Sequence, residues 1–236
     1  MSTSHLGSVL IAGATGLVGR EAVLACLLDE GVTEVRALVR RPVTLDAVLG
    51  PLAHERPGLT PSQRARFRAV QADFQRLDRE PEAFQVDTVL CALGTTIRQA
   101  GSQQAFRQVD FDAPLQIAQL AHAQGAKRFL LVSALGASSS SRVFYNRVKG
   151  ELEDAISDIG FEQFVIARPS LLEGDRPESR PGEHIGLMLA GALSFLIPQS
   201  HRPVHVRQVA RALLREAREA AAGRRVLTNA QMRAMR

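Results

Sequence analysis

The sequence predicts an α/β fold in which helices cover both faces of a doubly wound, mostly parallel sheet. Short apolar segments alternate with segments of helical periodicity along most of the chain, and short turns join them. A glycine-rich turn at residues 13–19 follows the first apolar segment and precedes the first helix. A length of 236 residues suits one such domain with a sizeable core. We therefore expect a single domain over residues 1–236.

Local apolar patterns predict the elements in chain order. Strands are expected at 8–12, 35–39, 68–71, 88–92, 127–132 and 164–167, because each of these is a short apolar run. Helices are expected at 17–30, 45–49, 112–124 and 143–159. Gly31 and Gly160 follow two of the helices, and glycine commonly ends a helix. Asp112 suits an N-cap, and Pro114 suits a first helical turn, where no N–H is needed. Residues 54–66, which are rich in Pro and Gly, are expected to form a surface excursion.

The strand–helix pattern loosens after residue 168. Residues 170–183 are polar and rich in turn formers, whereas 185–197 and 204–221 have the composition of helices. We expect a core over about 8–168 and a small capping region over 169–236. This region would lie at the carboxyl edge of the sheet and shape a substrate pocket.

Composition and charge exclude several classes of protein. The formal net charge is +5, but the basic residues are scattered and aromatic residues make up only 5% of the chain. No nucleic-acid partner is therefore expected. The apolar stretch 185–198 is shorter than the roughly 20 residues that span a bilayer, and no signal peptide is visible. The two cysteines form no spaced motif. We expect a cytoplasmic protein with a small-molecule substrate, and a homo-oligomer is left open.

Histidines near the C-terminus raise the question of a metal site. His184, His201 and His205 are the candidates, but Pro203 separates the last two on the chain. No Asp or Cys follows them at the spacing of metal ligands. No metal is therefore expected.

The glycine-rich turn predicts a site for a dinucleotide. Gly13, Gly16 and Gly19 have the spacing G-x-x-G-x-x-G between a strand and a helix. Glycines permit a tight turn and let a pyrophosphate approach the backbone, and the N–H groups of the following helix attract phosphate. Cofactor contacts are expected along this turn, at Gly13, Thr15, Gly16, Leu17 and Val18.

Two arginines at the end of the second strand indicate which dinucleotide is bound. An acidic residue at this place binds the ribose 2′-hydroxyl of NAD, whereas arginine accommodates the 2′-phosphate of NADP. The strand is followed by Arg40 and Arg41, with no carboxylate before Asp46. Guanidinium groups match phosphate oxygens in geometry and charge. NADP(H) is therefore favoured over NAD(H). The alternative is a pair of solvated arginines.

A tyrosine and a lysine predict chemistry beside the cofactor. Tyr145 is the only tyrosine of the chain, and Lys149 follows it by one helical turn, so both side chains share a helix face. A neighbouring ammonium stabilises a phenolate, which lets the phenol exchange a proton with a substrate oxygen. Ser133, at the end of the fifth strand, could hold the same oxygen. The alternative is a helical tyrosine packed on the sheet and an isolated lysine.

These residues resemble the short-chain dehydrogenase/reductase superfamily, in the atypical single-domain branch related to the Tat-interacting protein. The stretches that carry the resemblance are IAGATGLVGRE (11–21), CALGTTIRQAGS (91–102), FLLVSALGASSSS (129–141), FYNRVKGELE (144–153) and ARPSLLEGDRPESRPGE (167–183). The resemblance implies a Rossmann fold that binds NAD(P). It also implies that Ser133, Tyr145 and Lys149 are the catalytic trio, and that Lys149 binds the nicotinamide-ribose hydroxyls. Further cofactor contacts that it implies are Asp73 and Phe74 at the adenine, Ala92, Leu93 and Gly94 along the dinucleotide, and Pro169, Ser170, Leu171 and Leu172 at the nicotinamide.

The sequence departs from the family pattern at two places. Asp110 stands where many superfamily members have an asparagine that serves a proton relay, and Ala134 replaces the second residue of a frequent serine pair. The function expected is an NADP(H)-dependent oxidoreductase that acts on a small carbonyl or alcohol. The alternatives are an NADPH-binding regulator or scaffold without turnover and a sugar-nucleotide epimerase or dehydratase. The segment after Pro169 is short for a nucleotide-sugar pocket.

Overall fold

The computed structural model describes residues 5–55, 58–174, 202–219 and 222–235. The strands are β1 (Gly7–Ala12), β2 (Val32–Val39), β3 (Phe67–Gln71), β4 (Thr88–Cys91), β5 (Arg128–Val132), β6 (Gln163–Arg168), β7 (Leu172–Glu173), β8 (Val204–His205) and β9 (Gly223–Thr228). The α-helices are α1 (Leu17–Leu28), α2 (Leu45–Leu49), α3 (Leu52–Glu55), α4 (Pro61–Ala65), α5 (Ile97–Ala100), α6 (Gln103–Arg107), α7 (Ala113–Ala123), α8 (Phe144–Ser157), α9 (Val206–Glu219) and α10 (Asn229–Ala234). Two short 3₁₀ helices, Leu77–Arg79 and Pro81–Phe84, lie between β3 and β4.

The main sheet has seven strands in the order β3-β2-β1-β4-β5-β6-β9, and every pairing in it is parallel. The strand order reverses between β1 and β4. In sheets of this kind, ligands bind at the carboxyl ends of the strands beside that reversal. The predicted doubly wound α/β fold is therefore confirmed, and its topology directs attention to the loops after β1 and β4.

Alternating side chains of the strands fill two apolar layers, one on each face of the sheet. In β1, Val9 and Ile11 belong to the layer under α1 and α9, whereas Leu10 belongs to the layer under α7 and α8. All three side chains are fully buried. A strand that is buried on both faces is a continuous apolar run, which is why β1, β4, β5 and β6 were predictable.

The C-terminal region completes the sheet, and this corrects the predicted end of the core. The core was expected to end near residue 168, but β9 pairs with β6 along its whole length. Helix α9 packs on α1 with its buried face, which includes Val209 and Leu213. The expected helix at 204–221 begins at Val206, because Val204 and His205 pair with β7. The helix expected at 185–197 lies outside the described residues.

A π-helical turn joins α6 to α7. It spans Gln108–Asp112, so the chain is already helical before α7 begins. Asp112 has helical backbone angles and its side chain caps nothing, so the N-cap expected there is wrong. A π turn holds one more residue than an α turn and often lies at a functional site. Here it places Asp110 inside the protein.

Candidate active site

The glycine-rich turn after β1 is built by close backbone contacts. Gly13 has a φ of +84°, and a Cβ at this residue would lie 2.6 Å from the Ala92 carbonyl oxygen. A Cβ on Gly19 would overlap the carbonyl oxygen of Gly13. The Gly16 N–H donates to that same oxygen at 2.9 Å. Only glycine fits at 13 and 19, so the turn is held in one shape by its own backbone.

The start of α1 has the features that a pyrophosphate requires. Gly16 is the N-cap residue and has no side chain, and among the described residues no side-chain hydrogen bond caps the first turn. The N–H groups of this turn are therefore available to a ligand, and the helix dipole makes the position electropositive. Thr15 and Gly16 are exposed, Leu17 is half-buried and Val18 is buried. This geometry fits a dinucleotide whose phosphates rest on the exposed tip of the turn.

The loop after β4 lies directly beside the glycine-rich turn. Ala92 donates its N–H to Ala12 at 2.8 Å, and Gly13 packs on Ala92 and Leu93. At Gly94, a Cβ would lie 3.4 Å from Oδ1 of Asp110 and 3.8 Å from Nζ of Lys149. The loop therefore connects the phosphate end of the site to its charged interior.

Lys149 and Asp110 form an ion pair in the protein interior. The Lys149 ammonium lies 2.7 Å from Oδ1 of Asp110, and the two side chains are 4% and 0% exposed. The second carboxylate oxygen, Oδ2, accepts the Thr95 N–H at 2.8 Å. The carboxylate thus binds both the ammonium and the loop after β4.

The pair keeps Lys149 charged. Burial alone would lower the pKa of Lys149, but the charge of Asp110 opposes it, and Tyr145 and the hydrogen bond that Lys149 donates to Asp110 add to that effect. The result is a pKa of Lys149 above its ordinary value. Lys149 is therefore an ammonium at neutral pH, as its expected role requires.

Tyr145 lies one turn before Lys149 on α8, at the half-buried end of the site. Its ring packs on the fully buried ring of Phe106, with centroids 5.6 Å apart and an interplanar angle of 52°. Tilted aromatic pairs of this kind hold a ring in place. The sequence spacing therefore places the phenol and the ammonium on one helix face, as predicted.

Ser133 has a partner that was not foreseen. Its hydroxyl donates to Oε1 of Glu153 at 2.6 Å, and its side chain is almost fully buried. Glu153 is fully buried on α8 and also accepts hydrogen bonds from Arg168 and Arg224. A carboxylate accepting from two guanidinium groups and a hydroxyl is well satisfied. The role expected for Ser133, orienting a substrate oxygen, requires its hydroxyl to leave Glu153 and stays a prediction.

The loop after β5 rests on α8. The Ser138 N–H donates to the Asn146 carbonyl oxygen at 3.1 Å. A Cβ on Gly150 would overlap the backbone of Ser138 and Ser139, so helix and loop are in direct backbone contact. This contact fixes the position of α8, and with it the positions of Tyr145 and Lys149.

The adenosine end of the predicted site is exposed. Arg40 and Arg41 follow β2, and neither has an ion pair or a hydrogen bond from its side chain within the described ranges. Asp73 follows β3 and accepts the Gln75 N–H at 2.9 Å in a tight turn, and Phe74 beside it is half-buried. These residues are at the carboxyl ends of neighbouring strands, which is compatible with the contacts predicted for them.

The segment after β6 is tied to the C-terminal part of the chain. Pro169 accepts the Leu135 N–H at 2.7 Å. Ser170 donates its N–H to Oδ1 of the buried Asn229 at 3.0 Å and its hydroxyl to the carbonyl oxygen of Arg202 at 2.7 Å. Leu171 is 49% exposed, and Leu172 begins β7. Exposed Leu171 is the apolar side chain of this segment that a ligand can reach most easily.

Neither a cluster of metal-binding side chains nor a membrane-spanning helix is found among the described residues. In the part of the chain that the structure describes, no three side chains of His, Cys, Asp or Glu are arranged to hold a metal ion. Within the same ranges, no helix is long and apolar enough to cross a membrane. His184 and His201, two of the histidines considered above, lie outside these ranges.

Sequence comparison identifies the family. Residues 13–183 match the family model described as NAD(P)H-binding. The mitochondrial protein fmp52 of Emericella nidulans is 34% identical over 188 residues, which cover 80% of this chain and 76% of that protein. The protein HTATIP2 of Rattus norvegicus is 36% identical over 189 residues, which cover 79% of this chain and 71% of that protein.

Solved structures share the fold at low sequence identity. The reductase domain of PhqB from Penicillium fellutanum superposes with a TM-score of 0.67 at 18% identity, covering 96% of this chain and 67% of that one. The UDP-Glc/GlcNAc 4-epimerase of Campylobacter jejuni superposes with a TM-score of 0.66 at 14% identity, covering 93% and 77%. At these identities the likeness shows the fold alone.

The relatives also correct one expectation and support another. Several of them, including the protein of Candida albicans, are named mitochondrial proteins, which contradicts the cytoplasmic location expected from the sequence. That prediction is wrong. The resemblance noted from the motifs is confirmed by the relatives fmp52 and HTATIP2. The chain belongs to the NAD(P)H-binding family, in the branch of atypical short-chain dehydrogenase/reductase-like proteins related to the Tat-interacting protein.

Proposed function

We propose that the protein is an NADP(H)-dependent oxidoreductase that interconverts a small carbonyl compound and its alcohol. The observation that carries the proposal is the position of Lys149. Its buried ammonium lies beside Gly94 at the dinucleotide crevice and one helical turn from Tyr145. A pure binding site has no chemical need for a phenol and an ammonium on one helix face.

Tyr145, Lys149 and Ser133 have different roles in the proposed reaction. When bound, the nicotinamide supplies or accepts the hydride. Tyr145 gives its phenolic proton to the substrate oxygen during reduction and takes it back during oxidation. Lys149 stabilises the phenolate electrostatically and binds the ribose hydroxyls. Ser133 would orient the substrate oxygen once its hydroxyl has left Glu153.

The preference for NADP(H) rests on Arg40 and Arg41. Both guanidinium groups are exposed at the carboxyl end of β2, where a 2′-phosphate would lie, and neither is engaged by another side chain in the described ranges. A guanidinium and a phosphate form paired, charge-assisted hydrogen bonds. We expect NADPH to bind more tightly than NADH in a fluorescence titration, and tighter binding of NADH would refute the role of the two arginines.

Turnover is tested by NADPH consumption against a panel of small aldehydes and ketones. Tyr145→Phe should lower kcat by about 10²–10⁴-fold, because the proton donor is lost. The dissociation constant of NADPH should not change, since the phenylalanine ring keeps the contact with Phe106. NADPH binding without consumption of any carbonyl compound would contradict the proposal.

A second candidate is an NADPH-binding regulator without turnover. One observation favours it: the Ser133 hydroxyl is held by a buried carboxylate rather than left open to a substrate. The two functions predict different effects of two substitutions on the cellular phenotype. A regulator keeps its cellular effect in Tyr145→Phe and loses it in Gly16→Asp, whose side chain fills the glycine-rich turn. An enzyme loses its effect in both.

A further inference from the structure

Asp110 is a buried carboxylate that the predicted catalytic trio does not include. Its side chain is fully buried, and each of its oxygens has one partner. Oδ1 contacts the Lys149 ammonium at 2.7 Å, and Oδ2 accepts the Thr95 N–H at 2.8 Å. A charge is buried at this depth only with partners of this quality, because desolvation otherwise outweighs its interactions.

The π-helical turn is what points Asp110 inward. In this turn the apolar side chain of Val109 is 38% exposed, whereas the charged side chain of Asp110 is fully buried. This reverses the usual distribution of polarity on a helix. The turn therefore leaves Val109 partly exposed and brings the Asp110 carboxylate to Lys149.

The pair also lies against the cofactor crevice. A Cβ on Gly94 would lie 3.4 Å from the Asp110 carboxylate and 3.8 Å from the Lys149 ammonium, so the pair lies against the loop after β4, along which the dinucleotide is expected. Through Thr95, the carboxylate holds that loop as well. The carboxylate thus connects the ammonium to the loop after β4.

We propose that Asp110 is a positioning residue for the reaction, which keeps Lys149 charged and fixes it between Tyr145 and the loop after β4. The inference rests on the proposed function. Within the described residues, the titratable groups that act on Lys149 are Asp110 on the π turn, Tyr145 on its own helix and Cys91 on β4. Burial raises the pKa of the Cys91 thiol to about 11, so this group is neutral at physiological pH. Asp110 therefore supplies the negative charge that balances the ammonium.

The test compares two Asp→Asn substitutions on the same helical segment. Asp110→Asn removes the buried charge, whereas Asp112→Asn removes an exposed charge two residues away. In Asp110→Asn, burial is no longer opposed by a carboxylate, so the pKa of Lys149 falls. We expect the alkaline limb of the pH profile of NADPH turnover to move down by about one pH unit or more. Asp112→Asn should keep the profile of the parent.

A second measurement needs neither turnover nor cofactor. At neutral pH, Asp110→Asn should lower the unfolding temperature, because it leaves a buried ammonium without a counter-charge. Lys149→Met in that background should recover much of the loss, since it removes the unpaired charge. If Asp110→Asn does not accumulate in folded form, folded Asp110→Asn/Lys149→Met supports the pair. Failure of the double variant to fold would show that Asp110 serves the π turn instead, and would overturn the inference.

The outcomes separate this inference from the function on which it rests. If the parent turns over NADPH but the alkaline limb of the pH profile does not move in Asp110→Asn, the role of Asp110 is refuted. The proposal that the protein is an oxidoreductase is then unaffected. Absence of turnover in the parent overturns the oxidoreductase, and the positioning role falls with it. Three results together support both the oxidoreductase and the role of Asp110. The alkaline limb moves in Asp110→Asn, it does not move in Asp112→Asn, and Lys149→Met restores the unfolding temperature of Asp110→Asn.

Discussion

Gly16→Ala should separate cofactor binding from folding. The backbone at Gly16 has φ −77° and ψ 172°, which alanine adopts without strain. The added Cβ would lie 3.2 Å from the Gly13 carbonyl oxygen, so the turn must shift by a few tenths of an ångström to admit it. Alanine is a poorer N-cap than glycine by roughly 0.5–1 kcal/mol. We therefore expect the free energy of unfolding to fall by only about 1 kcal/mol.

The same methyl group stands where the phosphates approach the backbone. Loss of one charge-assisted hydrogen bond costs about 1.5–3 kcal/mol, which corresponds to a rise of roughly 10–10²-fold in the Kd of NADPH. The assay is a fluorescence titration with NADPH, run beside thermal unfolding of the same samples. Gly58→Ala is the matched control, since a Cβ there meets no atom of the described residues within 4 Å. It should change neither quantity.

Gly13→Ala should behave in the opposite way. Its φ of +84° makes alanine strained by about 1–2 kcal/mol, and the Cβ would lie 2.6 Å from the Ala92 backbone, which adds about 1–3 kcal/mol. The stability loss should then be about 2–5 kcal/mol. Unchanged NADPH affinity in Gly16→Ala, or a stability loss there as large as in Gly13→Ala, would refute the reasoning.

Three further predictions follow from the site. Arg40→Ala/Arg41→Ala should raise the Kd of NADPH by roughly 10–10²-fold and leave that of NADH unchanged, because only NADPH carries the 2′-phosphate; an equal effect on both cofactors in titrations would argue against the assignment. Ser133→Ala should lower the free energy of unfolding by about 1–3 kcal/mol, because buried Glu153 loses a donor, and should lower kcat by about tenfold or more, because the substrate oxygen loses the hydroxyl that orients it. An unchanged kcat would contradict the role of this hydroxyl at the substrate. Cys91 should resist alkylation in the folded protein at pH 8 and react in denaturant, since burial raises the pKa of its thiol from 9.0 to about 11. The folded pKa is the higher one, so the stability contribution of this thiol is present below pH 9 and is lost as the pH rises towards 11. Rapid alkylation of the native protein would contradict this.

The interior strands of the sheet were predictable because they are apolar on both faces. The edges were harder. In β9, Arg224 and Arg225 are exposed and only Leu227 is buried, so the strand lacks the apolar run that marks β4 or β5. The interior strand β2 begins at Val32, three residues before its predicted start, and the earlier start was missed because Thr33 and Glu34 interrupt the apolar pattern.

The candidate site was predicted where it depends on local spacing. The glycine turn and the Tyr145–Lys149 spacing both follow from neighbouring residues on one element. Side-chain partners that are distant in sequence and meet only in the folded chain were not predicted. Asp110 departs from the asparagine of the family pattern, but its ion pair depends on a π turn, which inserts a residue that helical periodicity does not reveal. The Glu153 partner of Ser133 likewise joins a strand end to a separate helix.

The backbone contact at Gly150 has a consequence for how this family can diversify. Because α8 and the loop after β5 touch without an intervening side chain, any larger residue at Gly150 would displace the helix that carries Tyr145 and Lys149. The reacting groups are therefore difficult to move by mutation. Exposed Leu171, after β6, has no such restriction. Natural variation and laboratory evolution should accordingly change substrate preference around Leu171 while the geometry of proton transfer is inherited intact.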